Sequence, residues 1–159
     1  MPPSASVTTS QPVVAHGQSG ATTLGGNAAR EQYGVRQVDY QQILGPDLAD
    51  GRSLDAPIYF DANGDGVDEA LLVAHGTGDI RPADWFLFGE KNGNVVKIFE
   101  HTAVAHGEIS LQGSTVIEKE GIFGSGDADC CPSSTKRTEY VWRDGSLVVS
   151  RIEVLPAAS

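Results

Sequence analysis

The sequence predicts a mainly β protein, an antiparallel meander of about eight strands that forms a sandwich or a partial barrel and carries one short N-terminal helix. Nineteen glycines and eight prolines in 159 residues are typical of a turn-rich β chain, because glycine destabilises the interior of a helix. From Pro57 onward, apolar residues recur with a period of two, and turn-forming residues separate the short runs. Periodicity does not determine strand pairing, so the sandwich and the partial barrel both stay open.

Apolar runs on either side of turn signals define the predicted strands. The clearest hairpin has Asn92-Gly93 at its tip, since both residue types tolerate the positive φ of a tight turn. In the last strand Arg151 and Glu153 alternate with apolar residues, which is typical of an antiparallel sheet with one solvated face. The strands are predicted around residues 58–60, 70–74, 85–88, 95–99, 109–111, 115–117, 140–142 and 147–149.

Two regions precede the predicted strands. Residues 1–31 are rich in Ser, Thr, Gly, Ala, Gln and Pro and show no apolar period, which predicts a disordered tether. Between Gln32 and Leu48, spaced apolar residues predict the short helix, which ends at Gly45-Pro46. A chain of this length carries one hydrophobic core comfortably, so residues 32–159 are expected to form a single β domain.

The charge and hydropathy of the chain exclude several function classes. Eleven basic and twenty-one acidic residues give a net charge of -10, which repels phosphate backbones, so nucleic acid is not an expected partner. No run approaches the roughly 18 apolar residues of a membrane span, so no transmembrane segment is expected. The N-terminal region also lacks the apolar core of a signal peptide, and we expect any export signal to have been removed ahead of it.

The most informative motif is an acidic loop, residues 61–69, between two predicted strands. Its oxygen donors occupy alternate positions, which lets a tight loop direct them at one point. A hard cation such as Ca²⁺ takes six to eight oxygen ligands at about 2.3–2.6 Å, and glycines at the intervening positions permit the sharp turns. The predicted calcium ligands are Asp61, Asn63, Asp65, the carbonyl of Val67 and Glu69.

The acidic loop is not an EF-hand, because its twelfth position is Leu72 and its flanks are predicted strands. It resembles the Asp-x-Asn-Gly-Asp-Gly hairpins of integrin-α and related β-propeller repeats, whose ninth position is acidic, as Glu69 is here. An acidic turn without metal is the alternative, since Asn, Asp and Gly also favour turns. Mutual repulsion of side chains so close together favours a bound cation.

The two cysteines, Cys130 and Cys131, are neighbours in the chain. A disulfide usually joins Cα atoms about 4.4–6.8 Å apart, and consecutive Cα atoms lie about 3.8 Å apart, so a vicinal bridge would be strained. A vicinal disulfide that locks this loop and a pair of free thiols both stay open. The Cys-x-x-Cys spacing of redox enzymes is absent, and no histidine spacing predicts a zinc site with the cysteines.

The order of these motifs provides a family resemblance. The acidic loop between strands, followed by Cys-Cys-Pro-Ser from Cys130 and by Thr-Glu-Tyr-Val-Trp-Arg-Asp-Gly from Thr138, is similar to LppP/LprE-type lipoproteins of actinobacteria. The resemblance covers about residues 33–155. It implies export, lipid anchoring and residence in the cell envelope, but no known activity. The lipidated cysteine of the family is missing from this sequence.

No residue pattern predicts catalysis. Ser125 lacks the Gly-x-Ser-x-Gly elbow of serine hydrolases, and Trp85, Tyr140 and Trp142 are expected to pack in the core. We therefore expect an exported, extracellular or envelope-anchored domain, stabilised by calcium, that binds a protein or glycan of the cell envelope and is not an enzyme. The alternatives are an inhibitor of an envelope lysozyme or protease, acting through residues 121–134, and a metal-dependent hydrolase that uses the acidic loop.

Overall fold

The structure is a computed structural model that describes residues 34–46, 48, 51–78 and 81–156. The predicted tether, residues 1–31, lies outside the described residues. In chain order the described part contains a 3-10 helix, Val35–Gln37, the helix α1, Tyr40–Leu44, and nine strands. The strands are β1 (Ser53–Leu54), β2 (Ile58–Phe60), β3 (Glu69–His75), β4 (Ala83–Lys91), β5 (Asn94–Val104), β6 (Glu108–Gln112), β7 (Thr115–Ile122), β8 (Ser134–Arg143) and β9 (Ser146–Pro156).

The strands form two antiparallel sheets, which confirms the predicted fold class. The first sheet has the order β1-β3-β4-β5, and β2 also pairs with β3. The second sheet has the order β6-β7-β8-β9. The two sheets share one apolar core, so the described chain is a sandwich and not a closed barrel. The sequence does not predict β1, because a strand of two residues is too short to show an apolar period.

Two hairpins turn at an Asn-Gly or Asp-Gly dipeptide. Lys91 pairs with Asn94, and the connecting Asn92 and Gly93 have φ values of 53° and 76°. Asp144-Gly145 makes the same kind of turn between β8 and β9, with φ values of 51° and 79°. Both follow the primed-turn geometry that matches the twist of the flanking strands.

The first sheet is buried on both faces, which explains the continuous apolar runs of β3 and β4. Leu71, Val73 and Trp85 point toward the second sheet and join its residues in the core between the sheets. The opposite face, with Leu72 and Phe86, is covered by the 3-10 helix and α1. The described chain therefore has three layers, formed by the helical segment, the first sheet and the second sheet.

The helical segment follows the sequence prediction at its C-terminal end, since α1 ends at Leu44 and the Gly45 N–H donates to Gln41 O at 2.9 Å. Its beginning differs from the single predicted helix. The Asp39 carboxylate accepts from the Gln42 N–H at 3.1 Å and caps a new helix there, which separates α1 from the preceding 3-10 turn. Within the described ranges, no helix is long and apolar enough to cross a membrane.

Candidate functional site

The acidic loop connects β2 to β3, and the antiparallel pair of Phe60 with Glu69 closes it. The prediction that this loop is a hairpin connection is confirmed. Gly64 and Gly66 adopt φ values of 78° and 84°, which a side chain would strain. The turn therefore depends on glycine at both positions.

Backbone N–H groups of the acidic loop point inward at its side chains. The Asp61 carboxylate accepts from Gly64 N at 2.7 Å, from Asp65 N at 3.2 Å and from Gly66 N at 2.9 Å. Asn63 Oδ1 accepts from Asp65 N at 2.8 Å. These bonds wrap the loop around the first of the predicted ligands.

Glu69 is the buried member of the predicted ligand set, with only 4% of its surface exposed. Its two carboxylate oxygens accept from Ala62 N at 2.7 Å and from Asn63 Nδ2 at 2.8 Å. Burial, followed by the charges of Asp65 and Asp61, raises the pKa of Glu69 to about 7. Glu69 therefore ionises less readily than an exposed glutamate.

A cavity of about 220 Å³ opens beside the acidic loop. On the loop side it is lined by Asp65, Val67 and Glu69, and on the far side by the β4–β5 hairpin, with Glu90 and Asn92. The sequence reasoning missed these two hairpin residues. They lie more than twenty positions from Glu69, and only the pairing of β3 with β4 brings them to the loop.

The donor set fits a hard cation in its chemistry, because every predicted ligand atom is an oxygen. Among the described residues, no three His, Cys, Asp or Glu side chains form a metal-binding group by themselves. A calcium ion would thus depend on the Asn63 amide and the Val67 carbonyl as well as on carboxylates. The hydrogen bonds described above also satisfy the polar groups of a turn without metal.

Asp68 does not join the predicted ligands. Its carboxylate forms an ion pair with Arg36 of the 3-10 helix. The Arg36 guanidinium also lies over the Tyr59 ring, 4.4 Å from its centroid. Asp68 therefore ties the helical segment to the hairpin, a contact that its place in the motif does not reveal.

The second predicted feature is the cysteine loop, residues 123–133, between β7 and β8. Cys130 and Cys131 are joined by a disulfide in the structure, and both are exposed. The Asp127 carboxylate accepts from Gly124 N at 2.6 Å and from Ser133 N at 2.8 Å, and these bonds lower the pKa of Asp127. One carboxylate thus ties together the two ends of the cysteine loop.

The structure also contains a buried polar cluster around Glu118, which is fully enclosed between the sheets. Its carboxylate accepts from Trp85 Nε1 at 2.6 Å and from Tyr140 Oη at 3.3 Å, and His101 Nδ1 lies 2.6 Å from it. Burial, followed by the charge of Glu118, raises the pKa of Tyr140 far above its ordinary value. The alternation of Val116 with Glu118 could have revealed a carboxylate on the inner face.

The three histidines of the described residues, whose spacing predicts no zinc site, have separate partners. His75 lies 3.1 Å from Asp55, His101 contacts Glu118, and His106 Nε2 lies 2.7 Å from the carbonyl of Asp129. These contacts do not bring the three imidazoles together with the cysteines. His16, the fourth histidine, lies outside the described residues.

Comparison of the chain with protein-family models, with curated proteins and with solved structures found no match.

Proposed function

We propose that this protein is an exported or envelope-anchored binding domain, stabilised by calcium and without catalytic activity. The observation that carries the proposal is the acidic loop. It is a closed hairpin whose N–H groups hold Asp61, and the pKa of its Glu69 is raised first by burial and then by the neighbouring carboxylates of Asp65 and Asp61. A cation relieves this repulsion.

In this proposal the ligands are Asp61, Asn63, Asp65, the Val67 carbonyl and Glu69. The calcium ion supplies positive charge and a rigid link between the two ends of the hairpin. Glu69 is the first residue of β3, a central strand, so the link connects the loop directly to the core. The adjacent cavity, with Glu90 and Asn92 on its far wall, then keeps a constant shape. We propose that cavity as the surface that binds an envelope protein or glycan.

A thermal melt tests the metal. We expect added calcium to raise the melting temperature and excess chelator to lower it, because a ligand that binds only the folded state stabilises it by about 2.7 kcal/mol at a hundredfold excess over its Kd. Magnesium serves as the control cation, because it is smaller than calcium and requires a nearly octahedral set of ligands at shorter distances. Identical melts in calcium and in chelator would refute calcium stabilisation.

Two matched variants test the register of the ligands. Asp65→Ala should abolish the calcium-dependent shift, because it removes a ligand oxygen. Asp68→Ala should keep the shift, because Asp68 pairs with Arg36, and the loss of this surface ion pair should lower stability by about 1 kcal/mol or less. A shift that survives Asp65→Ala but not Asp68→Ala would overturn the assigned ligand set.

Export and envelope residence rest on the resemblance to LppP/LprE-type lipoproteins. Fractionation of cells that express the natural protein tests them, with the membrane and wall fractions expected to contain it. Capture from envelope extracts, with and without calcium, tests the binding role. Recovery of no protein or glycan in calcium would weaken that role.

A second candidate function is inhibition of an envelope hydrolase, and the cysteine loop favours it. Asp127 ties its ends, and the Cys131 N–H donates to Ala128 O at 2.8 Å, so the exposed loop is held in one shape before any encounter. A pre-shaped loop loses little entropy on binding a cleft. Assays against lysozymes and proteases test this role, with Asp127→Ala as the variant that should lose inhibition.

A further inference from the structure

The outer edge of β9 is a feature of the fold that the proposed function does not involve. Among the described strands, β9 pairs only with β8 and ends the second sheet. A register shift between Glu139 and Tyr140 marks a bulge at one end of the edge, and Pro156 lies at the other. Between them the strand contains neither proline nor lysine, two of the usual protections of an exposed edge.

One face of this edge is apolar. Ile152 and Val154 are 61% and 60% exposed. They pair with Thr138 and Lys136, so they lie on the inner face of the second sheet, beyond the part that the first sheet covers. Neighbouring large apolar side chains with such exposure indicate a contact surface.

The other face of the edge carries one basic and one acidic side chain, Arg151 and Glu153. Arg151 pairs across the sheet with Glu139, and Glu153 pairs with Arg137. Arg151 Nη2 and Glu153 Oε2 also lie 3.4 Å apart. Charges of opposite sign therefore alternate along β9 and also between β9 and β8.

We propose that a second copy of this chain pairs with β9 in antiparallel orientation, about a two-fold axis that is normal to the sheet and passes through Ile152. In this register Arg151 lies opposite Glu153 of the second copy, and the reverse pair forms at the other side of the axis. An axis through Arg151 or through Glu153 would instead place like charges opposite each other, which destabilises a strand pair.

The same register brings the apolar side chains together. Ile152 lies opposite Ile152 of the second copy, and Val154 is its diagonal neighbour on the same face. The two sheets then join into one continuous eight-stranded sheet, since each contributes four strands. The occupant is a second copy because the charge order of β9 is complementary to itself.

Substitutions that reverse the charges of Arg151 and Glu153 test the proposal. Sedimentation velocity over a concentration range should show a monomer–dimer equilibrium for the full chain. Arg151→Glu and Glu153→Arg should each weaken dimerisation by about tenfold or more, because each places like charges opposite each other twice. The double exchange R151E/E153R should restore the dimer, while circular dichroism verifies that all three variants are folded.

Cysteine cross-linking tests the axis independently. Residues directly opposite in an antiparallel pair have Cα atoms about 4.5–5.5 Å apart, which suits a disulfide. Ile152→Cys should therefore form a cross-linked dimer under mild oxidation. Val154→Cys is the matched control, because its exposure is nearly equal, but it lies two residues from the axis and should not cross-link.

A chain that stays monomeric at every concentration, with no Ile152→Cys cross-link, overturns the proposal and leaves the edge to a different occupant, such as another protein. Equal cross-linking of Ile152→Cys and Val154→Cys overturns the register. Recovery of the dimer by the double exchange, together with selective cross-linking at residue 152, supports both.

Discussion

Glu118 occupies the most demanding environment of any single residue in the described chain. Its carboxylate is fully enclosed in the core, where an unpaired charge would be very costly. Trp85 and Tyr140 donate hydrogen bonds to it, and His101 lies within 2.6 Å. These partners come from both sheets, so the cluster links the sheets through polar contacts as well as apolar packing.

Removing this carboxylate should strongly destabilise the fold. We expect Glu118→Ala to lower the free energy of unfolding by about 3 kcal/mol or more, because it leaves a cavity and unpaired buried donors. Glu118→Gln keeps the shape and should cost less. Urea denaturation measures both.

Thr138→Val provides the control in the same place. Thr138 pairs with Glu118 across β7 and β8, and its buried hydroxyl has no hydrogen-bond partner among the described residues. Replacing it with an isosteric apolar side chain should leave stability unchanged or raise it by about 1 kcal/mol. A strong loss of stability would show that this hydroxyl has a partner, such as a buried water.

Asp127 should give the cysteine loop a defined pH dependence. Its N–H donors hold the pKa of Asp127 below the ordinary value of 3.8. The stability that the Asp127 carboxylate gives the cysteine loop is therefore complete above pH 3.8 and is lost as the pH falls through the folded-state pKa. We expect the amides of Gly124 and Ser133 to keep their protection from hydrogen exchange at pH 3.8 and to lose it only as the pH falls through the lowered folded-state pKa of Asp127. Asp127→Asn should remove this pH dependence, whereas an unchanged profile would assign it to other carboxylates.

Among the elements, the connection from β5 to β6 carries the chain from one sheet to the other. Gly107 lies there, and its N–H donates to Val104 O at 3.1 Å. A Cβ at this position would lie 2.5 Å from Ala83 Cβ and 2.9 Å from Val104 O. The connection thus packs so closely against β4 and β5 of the first sheet that a methyl group does not fit.

Gly107→Ala should therefore destabilise the fold by about 1–3 kcal/mol, the usual cost of overpacking. Gly113→Ala is the control, since it lies at the tip of the β6–β7 hairpin with φ 63° and open space around its Cβ position. Its cost should come from backbone strain alone and be about 1 kcal/mol. Thermal melts compare the two, and equal losses would argue against the close approach.

At the scale of the whole molecule, the shared core predicts cooperative unfolding. Trp85 is fully buried, stacks on Phe99 at 4.5 Å and meets Tyr140 of the second sheet at 5.1 Å between ring centroids. Because both sheets contribute to its surroundings, neither sheet should keep its packing when the other unfolds.

A tryptophan probe can measure this cooperativity. Of the two tryptophans, Trp142→Phe leaves only Trp85. We expect its fluorescence and the far-ultraviolet circular dichroism to change at the same urea concentration. Separate midpoints would show that one sheet persists alone.

The sequence by itself determined the elements whose signals are local. Asn92-Gly93 and Asp144-Gly145 define tight turns because few other dipeptides tolerate positive φ at both positions. The apolar runs of β3 and β4 show that both faces are buried, and the spacing of Asp61 and Glu69 places an acidic loop between two strands. Each of these inferences needs only neighbours in the chain.

Only the tertiary structure decided contacts between distant residues. It placed Glu118 beside Trp85, turned Asp68 toward Arg36 and brought Glu90 to the acidic loop. Such contacts depend on strand register and on how the sheets pack, and the alternation of side chains is the same for many registers. Hence the sequence predicts the strands and turns, whereas the partners of their charged side chains follow only from the tertiary structure.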